Sequence, residues 1–147
     1  MTPTEKELSK YPVVTLVGRV NVGKSTLFNR LIEEKKALES PLPGTTRDVN
    51  YGLCDWRGER IVVVDTGGFV EKPKTEIEKQ VYVQAEKAIK RAGAVLFLLD
   101  VKSGLNPDDK KYLAFVRKKT KMPILLVANK ADRLSLIQDT YAKEWLS

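Results

Sequence analysis

Apolar residues along this chain of 147 residues fall into short β-branched runs that alternate with stretches of helical spacing. Val13 to Val17 is such a run, and it ends at Gly18. Beyond it Leu27, Phe28, Leu31 and Ile32 recur at intervals of three and four, so the pattern predicts strand, glycine-containing loop, helix. Residues 37 to 50 lose this periodicity and carry Pro41, Pro43 and Gly44, which predicts a long loop. Loops of that length are commonly functional. Tyr51 to Trp56 and Arg60 to Asp65, joined by Arg57-Gly58-Glu59, read as a hairpin, and Thr66 to Lys74 is irregular again. Thr75 and Glu78 have the spacing of a capping box for a helix whose inward face is Ile77, Val81, Ala85, Ala88, Ile89 and Ala92, with Gly93 as its stop. Ala94 to Asp100 is nearly continuous in apolar residues, as in a strand covered on both faces. Asn106-Pro107 supplies a helix cap and a first helical residue. Pro123 then precedes a third buried strand, Ile124 to Ala128, ending at Asn129, and a final helical pattern with Tyr141, Trp145 and Leu146 begins around Gln138.

Three buried strands alternating with helices, plus a hairpin partner, predict an α/β three-layer sandwich with a mostly parallel sheet and one antiparallel edge hairpin. In such sheets ligands bind beyond the carboxyl ends of the strands. The length suits one domain, residues 12 to 147, behind a polar tail at 1 to 11. That tail has no apolar segment of the signal-peptide kind, and no stretch approaches the roughly 20 apolar residues of a membrane span. A cytoplasmic monomer with no membrane partner is therefore expected. The single cysteine, Cys54, excludes a disulfide frame within the chain and reads as a small buried apolar residue. Histidine is absent, which removes the commonest general acid or base and leaves phosphate positioning, metal or carboxylate chemistry. The net charge of +7 gathers locally at Lys35-Lys36, Lys110-Lys111 and Lys118-Lys119-Lys121. Solvated helix faces and a nucleic-acid footprint both fit these clusters, and composition does not choose between them.

The chemistry is concentrated after strand ends. Gly18-Arg19-Val20-Asn21-Val22-Gly23-Lys24-Ser25, followed by Thr26, satisfies the phosphate-loop pattern of glycine, four residues, glycine, lysine and a hydroxyl residue. The glycines let successive N–H groups face phosphate oxygens, Lys24 reaches the β and γ oxygens, and Ser25 offers a hydroxyl to Mg2+. Such a loop does not distinguish ATP from GTP. Asn129-Lys130-Ala131-Asp132 at a strand end makes that distinction, because the Asp132 carboxylate can accept hydrogen bonds from N1–H and the exocyclic amine of guanine, groups adenine does not offer there. Asp65-Thr66-Gly67-Gly68 supplies a carboxylate that can hold Mg2+ through water and a Gly68 N–H that can sense the γ-phosphate. In the first long loop, Pro43-Gly44-Thr45-Thr46-Arg47-Asp48 offers a threonine hydroxyl that can complete the Mg2+ shell.

Together, the loop sequence through Thr26-Leu27-Phe28-Asn29-Arg30-Leu31, the Pro-Gly-Thr-Thr-Arg-Asp segment, Tyr51-Gly52, Trp56 and Asp65-Thr66-Gly67-Gly68 resemble the first GTPase domain of the Der (EngA) family over at least residues 12 to 132. The resemblance implies a Ras-like phosphate-loop fold, GTP and GDP as ligands, Mg2+, and a role in assembling the large ribosomal subunit through its rRNA. It selects Thr46 over Thr45 as the metal-completing residue. It also matches Asn21 to the asparagine with which the related TrmE group holds a potassium ion beside the phosphates; a hydrogen bond that shapes the loop is the other reading of Asn21. Val20 departs from the proline usual in the family. A further strand with a Ser-Ala guanine contact and a closing helix would follow Ser147, so the last strand and helix are expected to be missing. Phe69 stands where Ras-like enzymes place a water-orienting glutamine. Hydrolysis would then rest on Lys24, Thr46, Gly68 and Asn21 with the metal, at a rate on the order of 10^-4 to 10^-2 per second. The alternative is a module that senses nucleotide with little turnover.

Overall fold

The computed structural model describes residues 5–32, 37–38, 49–67, 72–104 and 106–130. Most of the loop between 37 and 50 and the helical pattern from Gln138 lie outside the described residues. In chain order the elements are α1 (Glu5–Lys10), β1 (Val13–Val17), α2 (Lys24–Ile32), β2 (Ala37–Leu38), β3 (Asn50–Trp56), β4 (Glu59–Asp65), α3 (Glu76–Arg91), β5 (Ala94–Asp100), α4 (Pro107–Lys119) and β6 (Ile124–Asn129). Among the described residues one six-stranded sheet has the order β2-β3-β4-β1-β5-β6. β4, β1, β5 and β6 run parallel, whereas β3 is antiparallel to both β4 and β2.

Period-two alternation divides the sheet's side chains between two helical layers. On one face Val17, Val95, Phe97 and Leu99 pack with Ile89 of α3 and Tyr112, Leu113 and Val116 of α4. Nearby, Val13, Val62 and Val64 pack with Ala88 of α3. On the other face Leu16, Val63, Leu98 and Cys54 meet Phe28 and Ile32 of α2. The predicted three layers are therefore present, and Cys54 is buried as expected. Thr15 is fully buried in β1, and its hydroxyl satisfies itself by donating to the Ala88 carbonyl at 2.9 Å, which ties the central strand to α3.

Local signals act as their chemistry requires. The Thr75 hydroxyl accepts from the Glu78 N–H at 3.1 Å and the Glu78 carboxylate accepts from the Thr75 N–H at 3.2 Å, closing the capping box. Asn106 caps α4 by accepting from the Asp108 N–H at 2.8 Å, with Pro107 as first helical residue.

Five details differ from the sequence pattern. The hairpin turn is Arg57-Gly58 alone, both with positive φ (49° and 84°), so Glu59 already pairs with Trp56 in β4. Ala37 and Leu38, expected within the loop, form a two-residue edge strand against Gly52 and Tyr51. Residues 5–10 of the polar tail form a short helix. Ile77 does not join the buried face of α3 and is 53% exposed. β6, expected to be buried, lies at the sheet edge among the described residues, none of its residues is fully buried, and Leu125 is 56% exposed. An apolar run encodes a strand, but its cover depends on neighbours that the run does not specify.

Candidate nucleotide site

The carboxyl ends of β1, β4, β5 and β6 lie together because these four strands are parallel neighbours. β1 delivers Gly18, whose φ of 153° and close surroundings suit glycine: a Cβ there would stand 2.9 Å from the Leu98 carbonyl. Val22 turns inward and is 1% exposed, anchoring the loop's middle in the core beside Phe28 and Leu98. Gly23 has φ of 100°, and a Cβ on it would collide with the Asn129 side chain. α2 then starts at Lys24, with the Leu27 N–H donating to the Gly23 carbonyl at 3.0 Å. The first-turn N–H groups of a helix lack intrahelical acceptors, so this end of α2 favours an anion.

A cavity of about 800 Å3 opens at this point, lined by Val20, Asn21, Gly23, Lys24, Ser25 and Thr26 from the loop and helix start, and by Asp65, Thr66 and Gly67 after β4. Lys24 is 8% exposed, and its ammonium donates to the carbonyls of Gly18 at 2.7 Å and Arg19 at 3.1 Å. Burial lowers its pKa, against the opposing pull of Asp65. Burial likewise pushes the Asp65 carboxyl up to about 6, with Lys24 and then Ser25 acting the other way. The Ser25 hydroxyl lies 3.5 Å from Asp65 Oδ2, while Asp65 Oδ1 is buried without a hydrogen-bond partner among the described residues. Thr66 is held by its N–H and hydroxyl to the Leu16 carbonyl, at 3.3 and 2.8 Å.

β6 braces the same loop through two long-range bonds. The Asn129 amide donates to the Val22 carbonyl at 2.8 Å. The Lys130 ammonium donates to the Asn21 carbonyl at 2.6 Å and to Asp100 Oδ2 at 3.0 Å. Both Asn21 and Lys130 sit in the left-handed region, at φ 67° and 60°. An asparagine tolerates that conformation well.

Thus the structure brings together the loop residues, Asp65 to Gly67, Asn129 and Lys130. Thr46, Gly68, Phe69, Ala131 and Asp132 lie outside the described residues. Gly18 and Val22 shape the loop from behind, and Val20 stands 61% exposed at the rim. The Arg19 side chain is turned to Asp109 of α4, with Nε donating to Oδ1 at 2.7 Å. Asn50, Ile77, Glu78 and Val81 also line the cavity, although nothing local marks them. Asp109 did carry a signal, because it shares the i, i+3, i+4, i+7 stripe of Tyr112, Leu113 and Val116, where a carboxylate needs a cation.

A strand, glycine-shaped loop and helix at the carboxyl edge of a parallel sheet, with a lysine and a buried aspartate facing one cavity, define a phosphate-loop nucleotide-binding protein. Within that class, residues 13–130 match the family described as 50S ribosome-binding GTPase, and the chain belongs to this family. It is 49% identical over 122 residues to GTPase Der of Amoebophilus asiaticus, an alignment covering 83% of this chain and 28% of that protein. It is 46% identical over 130 residues to GTPase Der of Pelotomaculum thermopropionicum, covering 88% and 29%. The chain thus spans less than a third of these curated relatives. Among solved structures it resembles Aquifex aeolicus Era bound to GDP and AlF4-, with TM-score 0.72 and 31% identity over 89% of this chain and 46% of that one. A structure of Era with MgGDPNP and a segment of 16S ribosomal RNA matches with TM-score 0.73 and 32% identity, covering 90% and 47%.

Proposed function

We propose that this domain is a Mg2+-dependent GTP switch that hydrolyses GTP slowly and acts, in its whole protein, on the large ribosomal subunit. The carrying observation is the triad at the cavity wall: the Lys24 ammonium, the Ser25 hydroxyl and the buried oxygen of Asp65 that has no partner among the described residues. An orphaned carboxylate oxygen next to a hydroxyl fits a hydrated divalent cation that takes its remaining ligands from phosphate. Ser25 and Asp65, with Thr46, would hold the Mg2+, which when bound neutralises charge on the phosphate oxygens.

The chain's own contribution is positioning. Lys24 leaves its two carbonyl partners for the phosphates, the N–H groups of the loop and of α2's first turn face them, and the Gly68 N–H reads the γ-phosphate. Asp132 reads guanine. No side chain serves as a conventional general base, since Phe69 follows Gly68. Asn21 would hold a potassium ion beside the phosphates, with the left-handed backbone as the competing reason for an asparagine there.

Phosphate release measured in KCl and in NaCl, each with and without Mg2+, tests this. Expected turnover is on the order of 10^-4 to 10^-2 per second with Mg2+, faster in KCl. Equal rates in the two salts would remove the potassium role, and no release in either would leave a nucleotide-sensing module. Support for an RNA-bearing partner comes from the family description and from α4, where Lys110, Lys111, Arg117, Lys118 and the nearby Lys121 are exposed without an ion-pair partner among the described residues. Cytoplasmic location fits that partner, and no helix among the described residues is long and apolar enough to cross a membrane.

A further inference from the structure

Arg19 and Asp109 are 90 residues apart in sequence and form a charge pair at the back of the phosphate loop. Asp109 is 1% exposed, whereas the Arg19 side chain is 25% exposed. Burial pushes the Asp109 carboxyl up, and the hydrogen bond and charge of Arg19 act against that push. A buried ion pair is a weak source of stability, because well-packed apolar residues of similar volume commonly do as well or better. The stripe on which Asp109 sits is otherwise Tyr112, Leu113 and Val116, so packing alone gives no reason for a carboxylate.

Its location supplies one. The carbonyls of Gly18 and Arg19 are the two acceptors that hold Lys24. Fixing Arg19 therefore fixes both the entry to the loop and the cradle from which Lys24 acts. One turn further along α4, Tyr112 is buried beside Thr66, and Thr66 immediately follows Asp65. The inward face of α4 thus backs both loops that line the cavity.

We infer that Asp109 is a positioning residue of the nucleotide site, holding the phosphate loop in its binding register through Arg19. This inference rests on the GTP-binding reading above. Any misplacement of the loop weakens nucleotide in ground and transition states alike, so KM rises while kcat changes little.

The test pairs GDP calorimetry and GTP kinetics with thermal melting. The double variant Arg19→Met/Asp109→Leu replaces the pair by apolar groups and is expected to melt within a few degrees of the parent. Its GDP affinity is expected to fall roughly tenfold, with KM for GTP rising in parallel and kcat within about twofold. Asp109→Asn keeps an oxygen opposite Nε and is expected to stay within about threefold of the parent. Parental GDP affinity in a folded double variant would overturn the inference. If the double variant does not fold, Asp109→Asn against the shorter Asp109→Ser decides, and equal affinity in those two overturns it. Failure of the unsubstituted chain to bind GDP would instead sink the nucleotide reading itself.

Discussion

β1 and β6 are alike as sequence, Val13-Val-Thr-Leu-Val17 against Ile124-Leu-Leu-Val-Ala-Asn129, yet they occupy opposite situations in the fold. β1 is the central strand, paired on both sides, with Leu16 and Val17 at 0% exposure and even its threonine buried. β6 pairs only with β5 among the described residues, and its Leu125 is mostly exposed. Each nevertheless supplies one half of the site. β1 launches the phosphate loop from a rigid base, while β6 reaches that loop only through the side chains of Asn129 and Lys130. Rigidity at the phosphate end comes from packing, and at the β6 end from a few polar bonds.

Truncation should divide the two strands most sharply. Leu16→Ala is expected to cost about 3 to 4 kcal/mol, as for a buried leucine whose cavity cannot fully collapse, and Leu125→Ala less than about 1. Urea denaturation measures both, and similar costs would erase the contrast.

The next effect lies at the end of β4, where Asp65 is paired in register with Leu16. Its pKa is raised from 3.8 to about 6, chiefly by burial. A carboxyl with a raised folded pKa binds its proton more tightly in the folded state. The nucleotide-free protein therefore loses stability as pH rises from about 4 to about 6 and no further above that. At about 1.4 kcal/mol per pKa unit the full penalty is about 3 kcal/mol. Asp65→Asn should thus be more stable than the parent by about 2 to 3 kcal/mol at pH 7.5, and equal to it below pH 4. A uniform gain across pH would point to packing instead of charge.

The smallest of these effects tests the polar tether of β6. Asn129→Ala removes one long-range hydrogen bond to the loop and should weaken GDP binding by about 1 to 1.5 kcal/mol, close to tenfold. Unfolding stability should change by less than about 1 kcal/mol, since Asn129 is only partly buried. Unchanged GDP affinity would mean that β6 braces nothing.

The residues of the site differ in how far they could be recognised in advance. Gly18, Gly23, Lys24 and Ser25 were legible because a backbone cradle for phosphate demands glycines and a lysine at fixed local spacing. Asp65 and Asn129 were legible because each ends an apolar run. The Arg19 to Asp109 pair was half legible: a carboxylate on an apolar helical stripe signals a missing cation, but the cation is 90 residues away. Ile77 shares the apolar face of α3 yet is exposed, since helical periodicity assigns a face to the helix and says nothing of where the layer beneath it ends.

By itself the sequence determined the order of the longer strands and helices, the capping box at Thr75, the parallel sheet and the phosphate loop, because each follows from short-range spacing and backbone chemistry. Only the tertiary structure decided which apolar strand is central, which is an edge among the described residues, that Arg19 faces α4, and that one buried oxygen of Asp65 has no partner among those residues. These depend on which residues meet across the sheet and between layers. Desolvation and pairing energies are set by those neighbours and not by local order along the chain.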